Sequence, residues 1–373
     1  MSSLRQKAHV LRLKVLAKLF RTFVLTVARL RIRGKPTPDL VEHIPATSPT
    51  TTTTTTETNS TLPKAPDHQI KTYIYHPPSS SQFKPGTPSP VLITACGSGF
   101  ITPGLGLDDE YCHLISRETN HTVLDVGYRL APEDPFPSAI EDIVAVVKWV
   151  LSQPERFDIS RISIGGFSAG AQIATSAAVN YFPPGTFWGL VVFYPPLDAV
   201  KLHSEKRSFA EIEADAAVTS DGKDNTNNGG RKSLRPPLGG MGSVPAWAGN
   251  FMRDCYLANI DLKNSNAINL LKDPRVSPSY ADASRFPARC LFVTAEYDCL
   301  GPEAEELAKR IQRSNTVGNG DGTGTGHGQQ RKVVVHRVMG CGHMFDKFVE
   351  KGSEREKRRD EALGMVVGML RGD

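Results

Sequence analysis

The sequence predicts an α/β protein whose mainly parallel sheet is covered by helices on both faces. Two observations carry that expectation. Short apolar runs at 72–75, 91–94, 122–126, 162–165, 190–194, 289–295 and 332–338 read as strands, and helical patterns lie between many of them, most clearly at 137–151 and 301–312. The 373 residues are 39% hydrophobic and 22% charged, an ordinary globular composition with ample length for a sizeable core. In such a sheet the catalytic groups collect at the carboxyl ends of the strands.

Residues 1–38 form the first segment. Leu13, Leu16, Phe20, Phe23, Val27 and Leu30 recur at helical spacing while Lys14, Lys18, Arg21 and Arg29 gather opposite them, which predicts a basic amphipathic helix. Arg5 and Arg12 intrude on the apolar face. Three readings fit this segment: a helix packed over the body, a helix touching a membrane surface through residues 1–35, or a mitochondrial presequence. The first is the plainest. The segment has no apolar run of the roughly 18 residues that a membrane span needs, and no cleavage-site pattern follows it. Residues 39–66, with the threonine run 50–56 and Ser/Pro-rich flanks, predict a linker. Residues 67–373 form the main body, interrupted by polar Gly-, Asn- and Asp-rich stretches at 215–243 and 314–331 that read as disordered insertions. The Gly-rich run within the second stretch lacks the Gly-Lys-Ser/Thr ending of a phosphate loop.

The net charge of +5 is concentrated at the start, because residues 1–38 carry ten Lys or Arg and no acid, which leaves −5 for the rest. Nucleic-acid binding is therefore not expected, since it needs a basic face on the folded body. The six cysteines are far apart and form no C-x-x-C or Cys/His cluster, so neither a zinc site nor a disulfide framework is called for. A cytoplasmic chain, with peripheral membrane attachment or a mitochondrial location as alternatives, fits this usage best. Oligomeric state is not legible.

The chemistry centres on the run at 162–165, which leads into Gly166-Phe167-Ser168-Ala169-Gly170 and then into the helix-prone 171–178. This is the G-x-S-x-G nucleophile elbow, whose glycines allow a tight strand-to-helix turn that exposes the serine hydroxyl. A Gly-rich turn of that kind can also be purely structural, and the residues downstream decide between the two. A serine needs a base to take its proton and a carboxylate to orient that base, in the order Ser, Asp/Glu, His. Asp298 comes after the strand at 289–295, with Glu296 as the alternative acid, and His343 comes after the last strand within Gly340-Cys-Gly-His343. The Gly-rich Cys96-Gly97-Ser98-Gly99 loop after the strand at 91–94, together with the N–H of Ala169, supplies candidate oxyanion donors. Cys96, Cys299 and Cys341 fall close to this constellation and read as small buried packing residues.

Over residues 70–370 these pieces resemble the hormone-sensitive-lipase-like branch of the α/β-hydrolases, the fold-3 esterases. Tyr128-Arg-Leu-Ala-Pro-Glu133, Asp273-Pro-Arg-Val-Ser-Pro278 and Thr294-Ala-Glu-Tyr-Asp298 carry the resemblance. It implies the α/β-hydrolase fold, an eight-stranded sheet with an N-terminal helical cap, and ester hydrolysis without metal or cofactor. It also implies that Ser168, Asp298 and His343 are the triad, and that Ser98, Gly99 and Ala169, with Gly97 beside them, form the oxyanion hole. The sequence departs from the family at Cys96-Gly97-Ser98-Gly99, which replaces H-G-G-G, and at Phe167, which stands where Asp is frequent.

The expected partner is thus a small-molecule ester, of a short-to-medium acid or of a bulkier polycyclic compound from specialised metabolism. An amidase, a lactonase or an acyltransferase would use the same triad. A non-catalytic ligand-binding protein on the same fold is the alternative outside enzymology.

Overall fold

The computed structural model describes residues 3–31, 36–46, 68–78, 87–220, 237–238, 242–317 and 331–373. An N-terminal helix, α1 (Ser3–Arg31), precedes an eight-stranded sheet. Its strands are β1 (Leu40–Pro45), β2 (Gln69–Tyr75), β3 (Ser89–Ala95), β4 (Thr122–Val126), β5 (Phe157–Phe167), β6 (Gly189–Phe193), β7 (Arg289–Ala295) and β8 (Lys332–Val338). The helices between and after them are α2 (Asp109–Thr119), α3 (Ser138–Leu151), α4 (Ala169–Tyr181), α5 (Phe209–Ser220), α6 (Ala246–Tyr256), α7 (Ala267–Leu271), α8 (Gly301–Val317) and α9 (Glu354–Arg371).

The strand order is β1-β2-β4-β3-β5-β6-β7-β8. Strand β2 runs antiparallel to both β1 and β4, and every pairing from β4 to β8 is parallel. All five residues of β4 and of β6 are buried, as strands covered on both faces must be. Helices α3, α4 and α8 bury Ile140, Ile143, Ile173 and Leu307 in one core, while α2 and α9 bury Ile115, Val366 and Leu370 in a second across the sheet. A third cluster joins Leu13 and Ala17 of α1 to Cys255 of α6 and to Ala258 and Ile101.

Three differences from the sequence reading concern boundaries. The linker expected at 39–66 opens with a strand, because Ile44 is buried and pairs with Ile70 at the sheet edge; residues 47–66 lie outside the described residues. Helix α5 runs to Ser220 inside the expected insertion at 215–243, and Gly242 and Ser243 dock on the loops that leave β8 and β7; 221–236 and 239–241 lie outside the described residues. Helix α8 likewise continues to Val317, into the expected insertion at 314–331, of which 318–330 lie outside the described residues.

Helix α1 also differs in facing. Of the residues expected on its apolar face, Leu13 is buried and Phe20 half-buried, whereas Leu16 and Phe23 are exposed. The buried face is set instead by Val10, Leu13, Ala17 and Phe20, so the helix has apolar residues on two sides. Arg21 fastens it to the body: Nε donates to the Ile101 carbonyl at 2.5 Å, an Nη to the Ala131 carbonyl at 2.6 Å, and both Nη atoms reach the Glu133 carboxylate at 2.9 and 2.6 Å.

Candidate active site

Strand β5 ends at Phe167, and α4 begins at Ala169, which leaves Ser168 alone to turn the chain. It does so at φ 50° and ψ −121°, a positive-φ conformation rarely adopted by a residue with a side chain and costing of order 1–3 kcal/mol. The flanking glycines are fixed by close approach: a Cβ at Gly166 would lie 2.4 Å from the Ala95 carbonyl oxygen, and one at Gly170 would lie 2.1 Å from it. Strand β3 thus passes against the turn, and only glycine admits it.

The sheet order brings the remaining groups to the same end. Asp298 comes after β7, and His343 after the adjacent β8. His343 Nδ1 lies 2.7 Å from Asp298 Oδ2, and its Nε2 lies 3.0 Å from Ser168 Oγ. Both Asp298 and His343 are buried, while Ser168 is half-exposed. Asp298 also accepts the Leu300 N–H, and the His343 N–H donates to the Gly242 carbonyl at 2.9 Å. The imidazole is held from beneath by the Tyr194 ring, with centroids 4.6 Å apart. Glu296, the alternative acid, accepts the Gly340 N–H at 2.6 Å and so braces the loop that carries His343 without touching the ring.

The loop after β3 runs beside Ser168, since a Cβ built at Gly97 would lie 3.6 Å from that of Ser168. Among the described residues, the N–H groups of Ser98 and Gly99 have no hydrogen-bond acceptor, and the N–H of Ala169 opens α4. These are donors of the kind an oxyanion requires. Tyr128 fixes the loop: its hydroxyl lies 2.7 Å from the Cys96 carbonyl and 2.6 Å from Ser98 Oγ, which also accepts the Phe100 N–H. The phenol has one proton for these two oxygens, so the Ser98 hydroxyl supplies the proton of one bond. Tyr128 was legible only as part of a motif, and its role as the loop's anchor in place of the family histidine depends on the fold. Burial pushes the Cys96 thiol well above its ordinary value, and holds Cys299 up at about 12 and Cys341 at about 11. All three are therefore neutral packing groups rather than rival nucleophiles.

Phe167, where the family often has Asp, stacks on Phe193 at 4.6 Å, and the buried Lys347 ammonium sits 3.6 Å from its ring centroid. Burial pulls the Lys347 ammonium down, but its pairing with Asp108 and Asp346 overcomes that and holds it above its ordinary value. Asp346 accepts the Tyr194 hydroxyl at 2.6 Å, which ties this buried cluster to the ring beneath His343. Nothing in the sequence marked Lys347, because its partner Asp108 is far off in the chain.

Ser168 opens into a pocket walled mainly by Phe100, Met252, Tyr256, Leu257, Val276 and Leu300. Met252, Tyr256 and Leu257 belong to or directly succeed α6, on whose other side α1 rests. His203 also lines this pocket; burial lowers its pKa, and its Nε2 lies 2.9 Å from the Val244 carbonyl.

The fold these features define is the α/β-hydrolase fold. Residues 92–231 match a family model described as alpha/beta hydrolase fold, a stretch that holds Ser168 and the 97–99 loop but not Asp298 or His343. Esterase LipI of Mycobacterium tuberculosis is 36% identical over 115 residues, 30% of this chain and 35% of LipI. The ethyl acetate hydrolase of Pseudomonas putida is 31% identical over 113 residues, again 30% of this chain and 35% of the relative. The chain thus spans about a third of the length of each. The solved carboxylesterase EstE1, cloned from a metagenomic library, superposes with a TM-score of 0.62 at 23% identity over 95% of this chain and 96% of its own. The fold is that of the α/β-hydrolases, and the resemblance to their hormone-sensitive-lipase-like branch holds in these comparisons as it does in the motifs.

Proposed function

We propose that the protein is a serine carboxylic-ester hydrolase working through an acyl-enzyme. The observation that carries this reading is the continuous chain from Asp298 through His343 to Ser168, at 2.7 and 3.0 Å, opening into an apolar pocket. His343 Nε2 takes the Ser168 proton as Oγ attacks the ester carbonyl, and Asp298 steadies the imidazolium that forms. The N–H groups of Ser98, Gly99 and Ala169, with Gly97 letting the loop lie close, hold the developing oxyanion. Collapse expels the alcohol, which leaves with the proton from His343. Water then gives a proton to His343 and its oxygen to the acyl carbon; the acid departs and Ser168 regains its hydrogen. No step calls on a metal or cofactor.

The relatives named as an esterase and an ethyl acetate hydrolase support an ester over an amide as substrate. The mostly apolar wall suits an unbranched acyl chain or a bulkier metabolite ester. A purely ligand-binding role has no use for a buried carboxylate aimed at a histidine that is itself aimed at a strained serine.

The test is turnover of p-nitrophenyl acetate, butyrate and longer esters by the full chain beside Ser168→Ala, with fluorophosphonate labelling and peptide mapping. The expected result is hydrolysis that falls by about 10⁴-fold or more in the variant, and a label on Ser168 alone. Folded protein that neither turns over esters nor takes the label would instead support the ligand-binding reading.

A further inference from the structure

Helix α1 carries a second apolar stripe that the fold leaves uncovered. Leu11, Val15, Leu19 and Phe23 recur every four residues and are 54–69% exposed. Their side of the helix lies away from Leu13, Ala17 and Phe20, which pack on α6. Trp247, at the start of α6, is 66% exposed and meets Phe20 edge-on with centroids 6.3 Å apart, which sets a second exposed apolar side chain beside α1 on the pocket-bearing helix. Exposed apolar groups in such an array mark a contact surface.

The charges beside the stripe select its occupant. Lys7, Lys14 and Lys18 flank one side and Arg5 and Arg12 the other, and no acid falls within residues 1–38. We propose that this face of α1, with Trp247, docks the protein on an anionic lipid surface and so brings the mouth of the pocket to the membrane. The helix lies in the interface: Leu11, Val15, Leu19 and Phe23 enter the boundary between headgroups and acyl chains. Lysine and arginine stems reach outward to the phosphates, and Trp247 sits at headgroup level. A second copy of the chain is a poorer occupant, because two such helices face to face would set like charges against one another. Among the described residues no helix is long and apolar enough to cross a membrane, so attachment is by surface contact.

The experiment is cosedimentation of the full chain with phosphatidylcholine vesicles, with and without about a third phosphatidylglycerol, beside Leu19→Gln/Phe23→Gln. Both residues are exposed and outside the catalytic and pocket groups, so a melting curve and ester turnover matching the parent verify the variant's fold. The expected result is binding to the anionic vesicles only, weakened several-fold when salt rises from about 0.1 to about 0.5 M, and cut roughly tenfold or more in the variant. Absence of binding to anionic vesicles, or equal binding by the variant, overturns the proposal. So does sedimentation velocity showing a dimer that the same double substitution dissociates while vesicle binding is absent. Binding is read without substrate, so its failure and the failure of the esterase reading are separate results.

Discussion

Tyr128 sits inside the motif that marks the family, yet the work its hydroxyl does is to hold the Cys96 carbonyl and the Ser98 hydroxyl in one arrangement. Phenylalanine at this position keeps the ring and removes both bonds. If the loop holds the oxyanion as proposed, Tyr128→Phe should lower kcat roughly tenfold with little change in KM, because its donors are displaced rather than the pocket. Urea unfolding should show a loss of about 1–2 kcal/mol for the buried carbonyl left unpaired. Asp125 offers a pH signature nearby. Burial, and then the charge of Asp108, push its carboxyl up to about 8 against the pull of the Gly106 N–H. A folded-state value raised above the ordinary 3.8 means a contribution that is whole below about pH 4 and lost as pH climbs towards 8. Asp125→Asn keeps an acceptor for Gly106 and has nothing to ionise. Its melting temperature should therefore rise relative to wild type by on the order of 5 °C between pH 5 and pH 8.

At the scale of elements, α1 shows why periodicity alone misassigned a face. Its apolar residues fall on two sides, so a search for one hydrophobic stripe selects Leu16 and Phe23 along with Leu13 and Phe20, although only the second pair turns inward. The polar Arg21 is the truer marker of the buried side, since two main-chain carbonyls and Glu133 converge on it. Burial by itself would raise the Glu133 carboxyl, and Arg21 holds it below its ordinary value instead. Arg21→Met should cost about 2–3 kcal/mol in urea unfolding, chiefly from the abandoned carbonyls of Ile101 and Ala131. Strand β1 escaped notice for a related reason. Its six residues end on proline at the sheet edge and bury one side chain, Ile44, so no alternation stands out from the polar stretch beyond it.

Across the whole molecule, the groups that the sequence disclosed are those whose geometry is local. Ser168 with its glycines, Asp298 just past β7 and His343 just past β8 each sit in a short motif at a strand end, and the parallel order of the sheet does the rest. The groups it hid are those whose partners come from far along the chain. Lys347 pairs with Asp108, Ser243 accepts the Cys299 N–H at 2.8 Å, and Tyr194 bridges from His343 to Asp346. No spacing announces such meetings, because they arise from packing two cores against one sheet.

The division of the constellation between two halves of the sheet has a consequence for how the molecule is made. The serine and its neighbouring loop belong to β3 and β5, whereas the acid and the base arrive with β7 and β8, which join only when β7 pairs with β6. On the proposed mechanism, a growing polypeptide would therefore carry the elbow before His343 and Asp298 are in place to activate it, and the Ser168 hydroxyl would gain its reactivity only as β7 and β8 dock.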